Sequence, residues 1–329
     1  LSFRIFKRFR VNLPLRRLYE APTLAGMATA VEELMAGAAG EGGGRAPRGA
    51  EPAPVAAAPG ARADHAPLRY RLPNGMEIVH QSEAETRHFY EDIFEHRSYV
   101  KHGVRIPEGA TVFDVGGNIG LFTLFAHAEA PGARIYTFEP APPLFELLRR
   151  NVAEHGVRAE IYNIGLSDRE REAPFTFYPR SSGMSSFHAD LAEEKHVLRT
   201  LLANQRSADV DGMDQILSRS EELLDVRFEA RTFTARLRRL GDVIRETGVD
   251  RIDLLKVDVQ KSELEVLEGL DEGDWPRIAQ IVLEVHDAEG RLGHIAALLE
   301  RRGFTVISEQ DPLYAGTNIH NVYALRGGR

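Results

Sequence analysis

The chain has no cysteine among its 329 residues. That excludes disulfides, thiolate metal sites and cysteine nucleophiles, and it fits a reducing compartment, so the expected location is cytoplasmic. Long apolar runs are also missing. None approaches the ~18 residues needed to cross a bilayer, so no membrane association is expected. Positive charge is not in excess: the formal net charge is −8, which argues against a nucleic-acid partner, since such proteins present a basic face. A G-x-x-x-x-G-K-[ST] loop is absent, which disfavours ATP hydrolysis. There is no H-E-x-x-H and no repeated short His/Asp/Glu spacing, so no metal ligands are expected. The basic start, Leu1 to Arg10, is followed by no small-residue cleavage site and is not read as a targeting segment.

What is present falls into three zones. Residues 1–36 read as helical, with turns at Asn12-Leu13-Pro14 and Ala21-Pro22-Thr23. Residues 37–66 are almost all Gly, Ala, Pro, Arg and Glu, with little to bury, and read as a flexible linker. Residues 67–329 are expected to form one domain in which short apolar runs alternate with helical stretches. Strands are expected at 111–115, 134–138, 159–164, 252–258, 278–285 and 304–308, with helices between them such as 144–155 and 262–270. That alternation predicts an α/β, Rossmann-like fold: a mostly parallel sheet with helices on both faces. Segments 175–178 and 322–325 read as edge strands. Between Ser185 and Glu229 a helical insertion, with helices at 191–202 and 213–224, is expected to cap the C-terminal strand ends and exclude water.

The sharpest local signal is the run VFDVGGNIG from Val112, a buried strand entering a glycine-rich turn and then a helix. Glycines permit positive φ and close approach of a ligand, and ligands in such sheets bind at the C-terminal strand ends. Glu139 closes the next strand about 25 residues after Asp114, where a carboxylate can accept hydrogen bonds from ribose hydroxyls. The plain alternative is a glycine turn that packs a helix, with a solvated Glu139. A dinucleotide fingerprint requires G-x-G-x-x-G, and Asn118 stands where its second glycine would be, so a pyrophosphate cofactor fits imperfectly.

The motifs DVGGNIG from Asp114, FEP from Phe138, IDLLKVDVQKSE from Ile252 and LEVHD from Leu283 occur in this order. Together they resemble the FkbM family of class I methyltransferases, and most of all the O-methyltransferase domains embedded in modular polyketide and peptide synthases. The resemblance covers roughly residues 90 to 326. It implies S-adenosylmethionine as cofactor, bound by Asp114, Gly116, Gly117, Asn118, Gly120 and Glu139, with Ser167 and Asp168 near adenine. Gln260 stands where the family usually has glutamate, which puts a carboxylate or metal-ligand role there in doubt.

Methyl transfer to an alcohol needs a base, and histidine is the natural one near neutral pH. His286 lies at the end of the fifth core strand and shares a face with Glu284, which could fix its tautomer. Asp258 ends the fourth strand, suited to orient substrate or support the histidine. Each has a bland alternative: a satisfied core histidine, a loop-holding aspartate. Lys256 and Glu263 read as structural, and the hydroxyl-rich run 181–186 as either acceptor lining or a plain turn. Finally, FRVNLPLRRLYEAPTLAGMA from Phe9 resembles the C-terminal half of an acyl or peptidyl carrier domain. The serine that bears phosphopantetheine in that family would precede Leu1, so 1–36 is expected to be a carrier-domain remnant. The expected partners are a carrier-tethered acyl or peptidyl substrate and upstream synthase domains.

Overall fold

In the computed structural model, residues 68–204 and 220–327 are described. Segment 1–36, the linker 37–66 and most of the second cap helix expected at 213–224 lie outside the described residues. Residues 68–204 and 227–327 belong to one compact unit.

In chain order, a hairpin of β1 (Leu68–Arg71) and β2 (Glu77–His80) is followed by α1 (Glu83–Tyr90), which runs on as a π-helical turn over Glu91–Glu95. Then come β3 (Thr111–Val115), α2 (Leu121–Glu129), β4 (Arg134–Phe138), α3 (Pro142–Glu154), β5 (Ala159–Tyr162), β6 (Gly165–Ser167) and β7 (Arg171–Phe177). They are followed by α4 (Leu191–Asn204), α5 (Ser220–Arg227), β8 (Arg231–Arg239), α6 (Leu240–Thr247), β9 (Leu254–Val257) and α7 (Glu263–Glu268). The chain closes with β10 (Gln280–His286), α8 (Arg291–Arg301), β11 (Phe304–Glu309) and β12 (Ile319–Arg326).

The main sheet has seven strands in the order β11-β12-β10-β9-β3-β4-β5. Only β12 runs against the others, paired antiparallel to both neighbours. Alternation along the strands builds a core on each face. On β3, Val112 joins the core with Leu124, Ile135 and Leu148, whereas Phe113 and Val115 join the opposite core with Ile244, Val266 and Ile295. Both faces are therefore covered, as near-continuous apolar strands require. Among the described residues no helix is long and apolar enough to cross a membrane.

Two strand expectations need correction. Segment 322–325 is not an edge: β12 lies between β10 and β11, because a short connection folds it back from β11. The run 159–164 is broken: β5 stops at Tyr162, the Asn163 side chain turns to donate to the carbonyls of Glu139 and Pro140, and β6 leaves for another sheet. That sheet, β6-β8-β7, takes in the expected strand at 175–178 and also β8, whose arginine-rich sequence disguised it.

Candidate active site

A cavity of about 370 Å³ opens at the C-terminal tips of β3, β4, β9 and β10, within the ~300–1,000 Å³ range of small-molecule sites. Its floor is the glycine turn. Gly116 and Gly117 N–H both donate to the Phe138 carbonyl, at 3.0 and 2.9 Å, which ties the turn to the tip of β4. Gly116 has φ +84°, and a Cβ there would lie 1.8 Å from the Asp258 carbonyl oxygen, so no other residue fits. Asn118 is also left-handed, at φ 48°. Its N–H donates to Glu139 Oε2 at 2.8 Å, and Ala141 N–H donates to Oε1 at 2.8 Å. Burial pushes the Glu139 carboxyl up to about 8, against the pull of those two donors.

Beneath the turn, Asp114 is fully buried. It takes Thr123 Oγ1 at 2.7 Å and pairs with Lys256 Nζ at 3.1 Å. Lys256 Nζ in turn donates to the Gly116 carbonyl at 2.7 Å. Burial disfavours the Lys256 charge, but Asp114 and Asp258 outweigh it and hold its pKa above the ordinary lysine value. The pair is a buried strut for the turn; removal of either partner would leave an uncompensated charge.

On the β9 and β10 side the wall is acidic. Tyr99 OH donates to Asp258 Oδ2 at 2.8 Å. Gln260 Nε2 donates to Glu284 Oε1 at 3.1 Å and reaches Asp258 Oδ1 at 3.4 Å. Gln260 and Lys261 both have positive φ, 49° and 77°, a costly backbone held just after the strand tip. Burial and the neighbouring Asp258 raise the Glu284 carboxyl. His286, 3% exposed, does not line the cavity, and its Nδ1 lies 2.9 Å from Glu263 Oε1. Burial works against the imidazolium, but Glu263 prevails and the His286 pKa is raised. The roof comes from α4, through Val197, Leu198 and Leu201. Asn204 anchors that helix on the carbonyls of Leu313 and Ala315, and Lys261 pairs with Glu193 and Glu194 at its start.

Of the residues picked out from sequence, Gly116, Gly117, Asn118, Glu139, Asp258 and Glu284 line this cavity. Asp114 lies under it as the lysine's partner. Gly120, at φ +94°, is the N-cap of α2, and a Cβ there would meet Leu148 at 2.8 Å, so its role is packing. The structure does not bring Ser167 and Asp168 to the cavity: Ser167 Oγ donates to Glu265, and Asp168 pairs with Arg171, because β6 joins the small sheet. Ile164 and Leu166 from that stretch reach the wall instead, beside Phe138 and Leu144. Sequence reasoning missed Glu85 and Asp92, which face the cavity from α1 and its π-turn. Their spacing of seven along a helix was the available signal.

A glycine turn after the first parallel strand, a carboxylate on the tip of the second and a capped cavity over both define a Rossmann-like, cofactor-dependent group-transfer enzyme. The Methyltransferase FkbM domain matches residues 114–306, and the chain belongs to that family. It is 47% identical over 256 residues to the 31-O-demethyl-FK506 methyltransferase FkbM of Streptomyces tacrolimicus, covering 78% of this chain and 96% of that one. Against the AMB antimetabolite synthetase AmbE of Pseudomonas aeruginosa it is 42% identical over 273 residues, covering 81% of this chain but only 13% of that protein. Methyltransferase sdnD of Sordaria araneosa is 35% identical over 242 residues, covering 70% of this chain and 86% of that one. The chain is thus an S-adenosylmethionine-dependent methyltransferase. The site suits that cofactor: Glu139 stands next to an apolar wall, as a ribose and adenine require, and the acidic side suits a sulfonium.

Proposed function

We propose that the chain O-methylates a hydroxyl of a carrier-tethered polyketide or peptide intermediate, with His286 as general base. When bound, S-adenosylmethionine supplies an electrophilic methyl group. Asp258 and Glu284 orient the acceptor at the strand tips, and Gln260 keeps the two carboxylates in register. A neutral His286 that donates from Nδ1 to Glu263 leaves Nε2 free to take the hydroxyl proton. The α4 roof excludes water, a competitor for the base.

The observation that carries the chemistry is the convergence of Asp258, Glu284 and Gln260 on one cavity wall, with Glu284 close enough to His286 for their charges to act on each other. A second assignment of the base, Glu284, is favoured by one fact: Glu284 lines the cavity and His286 does not. The tethered acceptor is supported by the synthetase relative and by the carrier-like residues 9–28. In that reading 67–329 is the methyltransferase domain, 37–66 its linker, 1–36 a carrier remnant, and upstream synthase domains are partners. The relative named for demethyl-FK506 supports a free small-molecule hydroxyl instead.

The test incubates the full chain with S-adenosylmethionine and either a β-hydroxyacyl carrier protein or a free hydroxyl compound, read by intact mass. A gain of one methyl on the carrier protein is expected; a gain on the free compound alone would replace the acceptor. His286→Ala should lose ~10²–10⁴ in turnover with cofactor affinity kept. Loss in Glu284→Gln with retention in His286→Ala would move the base to Glu284.

A further inference from the structure

Beside α4, the connection between β11 and β12 also reaches the cavity, and none of the chemistry above uses it. A short helical turn, Pro312–Tyr314, brings Leu313 and Tyr314 to the lining. Its backbone is held at three points. Asp311 caps it, with Oδ1 accepting from Leu313 N–H at 2.9 Å. Thr317 donates to the Tyr314 carbonyl, from its N–H at 3.0 Å and from Oγ1 at 2.7 Å. Asn204 of α4 donates to the carbonyls on either side, those of Leu313 and Ala315. The Tyr314 ring is thus presented by a fixed backbone, yet its hydroxyl has no hydrogen-bond partner among the described residues.

Three carboxyls from three elements act on that hydroxyl: Glu284 of β10, Asp92 of the π-turn and Asp258 after β9. Burial first, and then these three, push the phenol well above the ordinary tyrosine range, so it keeps its proton and serves as a donor rather than a base. Neighbouring donors are already engaged. Tyr99 gives its hydroxyl to Asp258, Gln260 its amide to Glu284 and Asp258, and Lys256 its ammonium to Asp114 and the Gly116 carbonyl. An ionised carboxylate only accepts. A substrate oxygen held by carboxylates and a base alone would have one lone pair aimed at the methyl group and the other unfilled. Packing does not account for the Tyr314 hydroxyl, because phenylalanine would fill the same space, and a tyrosine hydroxyl inside a protein ordinarily finds a partner.

We propose that Tyr314 binds the acceptor substrate: its hydroxyl donates a hydrogen bond to the oxygen that receives the methyl group. The O–C bond forms as the S–C bond breaks, the S–C electron pair stays on sulfur, the hydroxyl proton passes to the base, and Tyr314 keeps its own. Because such a hydrogen bond weakens as the oxygen gives its electrons to carbon, its effect falls on acceptor binding rather than on turnover. This inference rests on the O-methylation reading of the site but not on the carrier tether.

The test uses the full chain saturated with S-adenosylhomocysteine, its tyrosines isotopically labelled at Cζ, and 3-hydroxybutyryl N-acetylcysteamine thioester as the probe. The Tyr314 resonance, identified by its absence from Tyr314→Phe, should shift when the probe is added and stay in place with the butyryl thioester, which lacks the hydroxyl. In turnover, Tyr314→Phe should raise KM for the probe by ~3–10-fold, the scale of a neutral hydrogen bond, and leave kcat and S-adenosylhomocysteine affinity within about twofold. An unmoved resonance, an equal shift with both thioesters, or a loss of S-adenosylhomocysteine affinity in Tyr314→Phe overturns the role. Methylation of the probe without the shift fails this inference alone. A shift without methylation of a carrier-bound 3-hydroxybutyryl group fails the tethered-acceptor proposal alone.

Discussion

His286 and Glu263 form a pair that lies wholly inside the protein, the glutamate 0% exposed and the histidine 3%. Because the carboxylate raises the imidazole's pKa against its burial, the pair adds stability while His286 is protonated. That contribution is complete below ~6.5, the unfolded value, and is lost as pH rises through the higher folded value. Glu263→Gln should therefore destabilise the protein most at pH 5–6 and progressively less above, as urea unfolding across pH would report. The same substitution should move the acid limb of kcat/KM to lower pH if His286 is the base; an unmoved limb would point to Glu284. At this scale the sequence displayed Glu284 and His286 on one strand face by period alone; it read Glu263, which comes from α7, as structural and gave no sign of its pairing with His286. Ser167 and Asp168, expected near adenine, do not line the cavity, for a related reason. Their neighbours Ile164 and Leu166 do reach the cavity, and only the departure of β6 from the main sheet turns the serine and aspartate away.

Strands and helices were legible where burial writes a pattern. The runs at 111–115 and 134–138 are strands to the residue, because strands covered on both faces are apolar throughout. β8 was not legible: arginines at 231, 236, 238 and 239 read as surface, yet they lie on a strand, where Arg236 pairs with Glu170, Arg238 with Glu246 and Arg239 with Asp271. The small sheet is held to α7 by Glu265. One of its oxygens takes His188 Nε2 at 2.8 Å, the other Ser167 Oγ at 2.8 Å and Arg171 Nη2 at 2.9 Å. His188 foremost, with serine and arginine behind it, holds the Glu265 carboxyl down at about 2. A depressed carboxylate stabilises above its unfolded value, and that stability is lost as pH falls from ~4.5 towards the folded value. Glu265→Gln should cost ~1 kcal/mol at pH 7 after solvent screening, and the gap from wild type should close by pH 2–3 in denaturant titrations.

For the molecule as a whole, the cofactor is the term that shifts stability. S-adenosylhomocysteine at about 100 times its Kd should add ~2.7 kcal/mol, a rise of roughly 5–10 °C in Tm for a domain of this size, while NADH should add none. An equal shift with NADH would contradict the methyl-donor site. The family match makes the first outcome the expected one, and the geometry supplies its cause: Asn118 occupies the place where a dinucleotide's pyrophosphate would need glycine.

The sequence by itself determined the alternation of strand and helix, the glycine turn after β3 and the carboxylate on β4, because each is a local requirement of burial or backbone conformation. Tertiary structure alone decided which distant groups share the cavity. Glu85, Asp92 and Tyr99 precede the sheet in the chain, and Arg227 and Gln260 come more than a hundred residues later. Parallel strands bring the tips of β3, β4, β9 and β10 to one end of the sheet, and α1 with its π-turn and the 181–185 segment line the cavity there.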